Sequence, residues 1–242
     1  MMINISISKT AEELGARAAD RIEELINQAI AEKGEARIIL STGMSQFETL
    51  SSLVKRDIDW SKVEMFHLDE YIGLDESHPA SFIKYLKDRF TSLVPLKSYH
   101  FVTGPEILEE LGKELNRKPV DVAVIGIGEN GHIAFNDPPA DFEEERAYKI
   151  VQLDQRCRQQ QVNEGWFDTI NDVPEEAMTM SVREIMKAEA IVSAVPHKAK
   201  SDAVYNTITE KVNEMVPATI LKTHKNWNLF LDEDSAGKLL SL

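Results

Sequence analysis

Cysteine is nearly absent: Cys157 is the only one in 242 residues. No internal disulfide can form, a cysteine-rich zinc site is excluded, and a reducing compartment fits. Positive charge is also scarce. With 27 Lys and Arg against 41 Asp and Glu, the formal net charge is -14 and the pI about 4.9, so the average surface repels phosphate backbones and anionic headgroups. Nucleic acid is therefore not an expected partner. An anionic ligand would need a local site made from backbone N–H groups and a few placed cations. No apolar run is long enough to span a bilayer, so no membrane partner is expected. The segment Met1–Ser8 lacks the basic flank, apolar stretch and cleavage site of a signal peptide; a cytoplasmic location is the expectation. There is no internal repeat, low-complexity tract or Gly/Ser linker, and residues 1–242 read as one domain.

Hydrophobic residues at 43% and charged residues at 28% belong to an ordinary globular chain. After a strand at Ile3–Ile7, Thr10 is placed to cap a helix with Leu14, Ala18, Ile22, Leu25 and Ala29 at helical spacing, and Gly34 ends it. Ala36–Leu40, Val63–Leu68, Val120–Ile125, Lys149–Leu153, Ala190–Val195 and Asn228–Leu231 read as further strands, with helices between most of them. This alternation predicts an α/β fold: one open, mostly parallel, twisted sheet with helices on both faces, Rossmann-like, plus a lid segment over roughly 140–175. The acidic run Asp141–Glu145 and Gln159–Gln161 read as solvated lid or loop.

Ligands of open α/β sheets bind outside the carboxyl ends of the strands, and several of these ends carry reactive residues. Ser41-Thr42-Gly43-Met44-Ser45 suits a phosphate cradle, or equally a plain strand-to-helix turn, and is no Walker A loop. Asp69-Glu70 places carboxylates at the edge of an apolar core, as a proton-abstracting base or as a helix cap. The strongest signal is Gly126-Ile127-Gly128-Glu129-Asn130-Gly131-His132, whose glycines allow a tight backbone path that presents His132 with Asp137 close behind. This is a candidate acid/base pair, set against a satisfied structural histidine. The glycine spacing is wrong for a dinucleotide fingerprint.

Three stretches, Leu68-Asp69-Glu70-Tyr71-Ile72-Gly73-Leu74, His78-Pro79-Ala80-Ser81-Phe82 and Gly126 through Pro138, resemble the glucosamine-6-phosphate deaminase (isomerase) family. The likeness continues in register to Pro217–Leu221 and His224. The resemblance implies an amino-sugar phosphate substrate and a reaction without metal or organic cofactor: ring opening, isomerisation to a ketose imine, and hydrolysis to fructose 6-phosphate and ammonia. It implies that Asp69 moves a proton between C2 and C1 and that His132, supported by Asn130 and Asp137, serves ring opening. It further implies that Thr42, Gly43, Met44 and Ser45 hold the phosphate with Lys198, that Lys200 is a second candidate, and that Glu70 and Gly131 lie at the substrate.

Three differences from the family pattern stand out. Deaminases often carry Asp where this chain has Asn130 and Glu where it has Asp137. Gln161 takes the place of a lid arginine that grips the phosphate, with Arg156 or Arg158 as substitutes. The loop after Asp137 is acidic and the chain stops soon after its last strand, so a homo-oligomer is allowed but the allosteric hexamer of some members is not implied. The competing activities are galactosamine-6-phosphate deaminase, 6-phosphogluconolactonase and a non-catalytic sugar-phosphate sensor. Cys157 reads as an inert thiol and Trp60, Trp166 and Trp227 as packing residues, Trp166 lying in the lid, where its fluorescence would report closure.

Overall fold

Two short, mainly apolar runs, Ala36–Leu40 and Ala190–Val195, are strands with every residue buried, as happens only where both faces of a sheet are covered. The computed structural model describes residues 3–241, so Met1 and Met2 of the expected N-terminal stretch lie outside the described residues. Its strands are β1 (Asn4–Ser8), β2 (Ala36–Leu40), β3 (Val63–His67), β4 (Asp69–Tyr71), β5 (Ser98–His100), β6 (Val122–Val124), β7 (Tyr148–Gln152), β8 (Glu176–Met180), β9 (Ala190–Val195) and β10 (Trp227–Asp232). The helices are α1 (Ala11–Lys33), α2 (Phe47–Leu53), α3 (Phe82–Leu86), α4 (Leu108–Leu115), α5 (Gln155–Asn163), α6 (Val182–Ile185), α7 (Ser201–Thr209) and α8 (Gly237–Leu240).

Seven strands form one parallel sheet in the order β1-β10-β9-β6-β2-β3-β5, the single α/β domain expected. Alternation along each strand sends side chains to opposite faces. Ile39, Phe66, Ala123, Ile191 and Leu229 enter one core cluster, while Ile38, Leu40, Met65, Val122 and Val192 enter the other, beneath α1 and α2. Thr10 caps α1 by accepting from the Glu13 N–H, and Gly34 closes it in the left-handed region. Leu14, Ala18, Ile22 and Ala29 are buried as expected; Ile26, rather than Leu25, is the fully buried residue of the following turn.

The expected strand Lys149–Leu153 is β7, but it does not belong to the parallel sheet. It pairs antiparallel with β8, which pairs antiparallel with β4, giving a separate three-stranded sheet. Its burial fits that placement: Ile150 and Gln152 on one face of β7 are exposed while Lys149 and Val151 on the other are half-buried, as in an antiparallel sheet with one face toward water. Gln159–Gln161, expected in loop material, lie in α5 with Gln160 and Gln161 buried. Asp141–Glu145 form an irregular, largely exposed stretch. No helix among the described residues is long and apolar enough to cross a membrane.

One buried cation ties the frame together. Arg37 of β2 donates from Nε to Glu64 of β3 at 2.6 Å and from its terminal nitrogens to the carbonyls of Leu115 and Glu114 at 2.8 and 2.7 Å. Burial favours the neutral carboxyl of Glu64, but hydrogen bonds from Arg37 and His100 hold its pKa below the ordinary value. Removing one partner of a buried pair leaves the other uncompensated. Arg37→Ala is therefore expected to cost about 3–5 kcal/mol in urea unfolding, and a second change, Glu64→Gln, to recover part of that loss.

Candidate active site

Strand order reverses between β2 and β6. From β2 the chain moves outward through β3 to β5, then returns to β6 on the other side of β2 and continues to β9 and β10. Loops leaving β2 and β6 diverge, and such a seam opens a crevice at the carboxyl ends of the strands. A cavity of about 590 Å³, including its open mouth, lies there. Its wall takes Ser41–Ser45 from the end of β2, Leu68 and Asp69 from the end of β3, and Gly126–Gly128 and His132 from the end of β6. Phe82, Ala134, Phe135, Gln160, Gln161, Glu164 and Lys200 complete it.

Asp69 reaches the cavity because the chain changes sheets at Leu68. β3 ends at His67, the Leu68 carbonyl accepts from the Met180 N–H at 3.0 Å, and Asp69 opens β4 opposite Thr179. Its carboxyl is buried. Burial pushes its pKa well above the ordinary carboxylate value, the charge of Glu70 adds to this, and an N–H from Phe135 opposes it. Such a carboxylate is a stronger base than an exposed one.

His132 is set by a tight loop. The Gly128 N–H donates to the His132 carbonyl at 2.9 Å, the Gly131 N–H to the Gly128 carbonyl at 3.0 Å, and the His132 N–H to Asn130 Oδ1 at 3.1 Å. A Cβ on Gly128 would lie 2.2 Å from the imidazole, so only glycine lets the ring sit there. The loop is anchored to the small sheet: the Phe135 N–H donates to Thr179 Oγ1, and Asn136 Nδ2 donates to the carbonyls of Ile133 and Met180. Nδ1 of His132 is 3.0 Å from Oδ1 of Asp137, with the ring N–H off the ideal hydrogen-bond line. Asn130 Nδ2 donates to the same oxygen at 3.1 Å. Burial alone would raise the Asp137 pKa, yet His132, Asn130 and the Asp154 N–H hold it below the ordinary value. The shorter Asp137 thus reaches His132, and Asn130 joins the pair through its amide.

The opposite wall suits an anion. Tyr85 donates to the Gly43 carbonyl at 2.9 Å and fixes the loop after β2, whose Thr42 and Gly43 N–H groups have no partner among the described residues. Lys200 is buried against the cavity, makes no ion pair within 4.0 Å among the described residues, and burial lowers its pKa, with Glu164 and Glu129 opposing the shift. A desolvated ammonium of this kind gains strongly from an incoming anion.

The structure brings Asp69, His132, Thr42–Ser45, Gln161 and Lys200 to one cavity and leaves other expected residues outside its wall. Lys198 is exposed; the turn after β9 aims the buried cation at position 200 instead. Arg156 is exposed, and Arg158 is committed to the carbonyls of Ile170 and Val173 at 2.7 and 3.0 Å. Glu70 performs the alternative role of helix cap, accepting from the Tyr71 and Ile83 N–H groups and from Ser81 Oγ. Gly131 accepts from the Ala218 N–H at 2.8 Å. Gln160 and Glu164 also line the cavity; Glu164 lies about one helical turn beyond Gln160 and Gln161, a signal legible only once α5 is recognised as a helix. A group of metal-type ligands, Glu64, His100 and Glu114, lies away from the cavity with Glu64 bound to Arg37.

The sequence pattern of the glucosamine-6-phosphate isomerases/6-phosphogluconolactonase family matches residues 9–230. A glucosamine-6-phosphate deaminase of Staphylococcus epidermidis is 36% identical over 230 residues, covering 90% of this chain and 93% of the relative. One from Lactobacillus delbrueckii subsp. bulgaricus is 30% identical over 242 residues, covering 98% and 100%. A solved monomeric glucosamine-6-phosphate deaminase superposes with a TM-score of 0.87 at 26% identity, covering 97% of this chain and 99% of that one. The 6-phosphogluconolactonase of Trypanosoma brucei, at 0.80 and 17% identity over 98% and 99%, shares the fold.

A carboxyl whose folded pKa is raised binds its proton more tightly in the folded state. At pH above both its unfolded and folded values its charge therefore opposes folding. Asp69→Asn is expected to raise Tm near neutral pH, by about 2–4 °C for each kcal/mol released. The gain should shrink as pH falls through the raised pKa, and differential scanning calorimetry across pH measures both.

Proposed function

The chain belongs to the glucosamine-6-phosphate isomerase/6-phosphogluconolactonase family, and from that premise we propose that it is a glucosamine-6-phosphate deaminase releasing fructose 6-phosphate and ammonia. The observation that carries this reading is the sharing of one cavity by the desolvated Asp69 carboxyl, His132 with Asp137 behind it, the loop after β2 with its open N–H groups, and the buried Lys200. A lactonase needs no base for a C–H proton, whereas an aldose-to-ketose conversion does. The relatives at 30–36% identity, named as deaminases, support the same side.

In this reading the phosphate occupies the Thr42–Ser45 end with Lys200, replacing the roles first expected of Lys198 and of Arg156 or Arg158. The sugar then extends toward Asp69 and His132. His132 passes a proton from the anomeric hydroxyl to the ring oxygen, with Asp137 stabilising the imidazolium through Nδ1 and Asn130 steadying Asp137. In the open chain Asp69 removes the proton from C2 and returns it at C1, and water then releases ammonia from the ketose imine. Phosphate binding, remote from the reacting carbons, holds C1 and C2 against Asp69. Gln161 and Glu164 offer hydrogen-bonding groups from α5, which we assign, with the rest of 140–175, to a lid. Every group named comes from one chain, so no second subunit is required. A reducing, cytoplasmic setting suits the buried free thiol of Cys157.

Purified protein is expected to release ammonia from glucosamine 6-phosphate in a coupled assay. Consumption of 6-phosphogluconolactone without ammonia release from any amino-sugar phosphate would overturn the assignment; activity on the galactosamine epimer alone would move it to that substrate. Asp69→Asn should lower kcat by about 10²–10⁴-fold. Because Asp69 must be ionised to act, kcat should fall as pH drops through its raised pKa, above the range of an ordinary carboxylate. Loss of a hydrogen bond to a charged group costs about 1.5–3 kcal/mol, so Lys200→Met should raise KM by about 10–100-fold, and an unchanged KM would remove its role. Trp166 packs edge-on against Phe47 with ring centroids 6.4 Å apart; phosphosugar binding is expected to change its fluorescence, and Trp166→Phe to abolish that change.

A further inference from the structure

Cys157 has no part in the chemistry above, yet it is buried on the first turn of α5 against the back of the His132–Asp137 pair. A ring nitrogen of His132, a carboxylate oxygen of Asp137 and Sγ of Cys157 all lie within 4.8 Å of one another. Nδ1 of His132 is buried and lacks a satisfied hydrogen bond even though Asp137 is only 3.0 Å away. An imidazole, a carboxylate and a thiol at this spacing form the donor set of a tetrahedral zinc centre with three protein ligands and one open position. Zinc–ligand bonds of about 2.0–2.3 Å require the three atoms to draw in by a fraction of their present separation. The thiol excludes hard ions such as Mg²⁺ and Ca²⁺ in favour of zinc and its softer neighbours.

We propose that His132, Asp137 and Cys157 form an inhibitory binding site for Zn²⁺ or a chemically similar transition-metal ion. Binding breaks the S–H bond of Cys157 and forms a metal–sulfur bond, and the displaced proton passes to the buffer. In the metal-free protein burial and the neighbouring Asp137 keep this thiol protonated, so the metal must displace that proton. The bound ion takes up Nδ1 of His132 and the charge of Asp137. It thereby removes the support that ring opening requires and pins α5 to the loop after β6. The inhibition rests on the deaminase reading; the binding does not.

Co²⁺ serves as the spectroscopic probe. The chain has a single cysteine, so a thiolate-to-cobalt charge-transfer band in the near ultraviolet can arise only from Cys157. The wild-type protein is expected to develop that band, to lose it when Zn²⁺ is added, and to lose ammonia release in parallel with zinc uptake. Changes beyond the ligands themselves cost metal sites about 10–100-fold in affinity, so loss of the thiolate in Cys157→Ser should weaken zinc binding by about 100-fold or more. Cys157→Ala, checked for native circular dichroism, provides the same comparison if the serine variant is unstable. Both variants should keep basal turnover and resist zinc. Absence of the cobalt band at saturation, or equal zinc affinity in the folded Cys157 variants, would overturn the site. A cobalt band in a protein that releases no ammonia would instead sustain the site and defeat the deaminase reading.

Discussion

The reversal of strand order between β2 and β6 is the constraint on which the molecule's chemistry depends. Parallel strands all end on the same side of the sheet, but only at this seam do adjacent strands send their chains in opposite directions and leave a crevice. Ser41–Ser45 and Gly126–His132 meet because their strands are neighbours in space, although some eighty residues of chain separate them. The small antiparallel sheet adds what the seam alone lacks. By taking the chain from β3 into β4 at Leu68, it turns Asp69 into the crevice, and through Thr179 and Met180 it also anchors the loop that carries His132.

The charges of the site run against those of the whole molecule. A chain with a formal charge of -14 offers little long-range attraction to a phosphorylated sugar, so recognition must be local. In the proposed reading, the N–H groups after β2 that have no partner among the described residues and the buried ammonium of Lys200 supply it at short range, where the low dielectric makes each contact strong. The same dielectric raises the basicity of Asp69 and penalises its charge, a conflict between stability and activity common at functional sites. Asp137 faces the opposite situation: enough hydrogen-bond donors surround it to hold it ionised despite burial.

Much of the frame could be read directly. Ala36–Leu40 and Ala190–Val195 coincide with β2 and β9 because a strand buried on both faces is a mainly apolar run, broken here only by Arg37 and Ser193. α1 was bounded by Thr10 and Gly34 because capping is local chemistry. The strands β4, β5 and β8 are not legible in the sequence, since Asp69-Glu70-Tyr71, Ser98-Tyr99-His100 and Glu176–Met180 are short or partly polar and become strands only through their partners. β7 was visible as a strand, but its sheet was not, because membership is decided by β8.

By itself the sequence determined the α/β class and the main strands at whose ends the cavity lies, and it singled out Asp69 and His132, which the structure brings to one cavity, as candidate acid/base groups. The class and the strands rest on periodicity, and the candidate groups on glycine geometry and on the family resemblance of their motifs, all of which are local. Only the tertiary structure decided which cation faces the cavity, Lys200 in place of Lys198, Arg156 or Arg158, and that Glu70 caps α3. It also placed Cys157 behind His132. A side chain's direction and partners follow from packing between segments distant in the chain, and residue order does not encode them one position at a time.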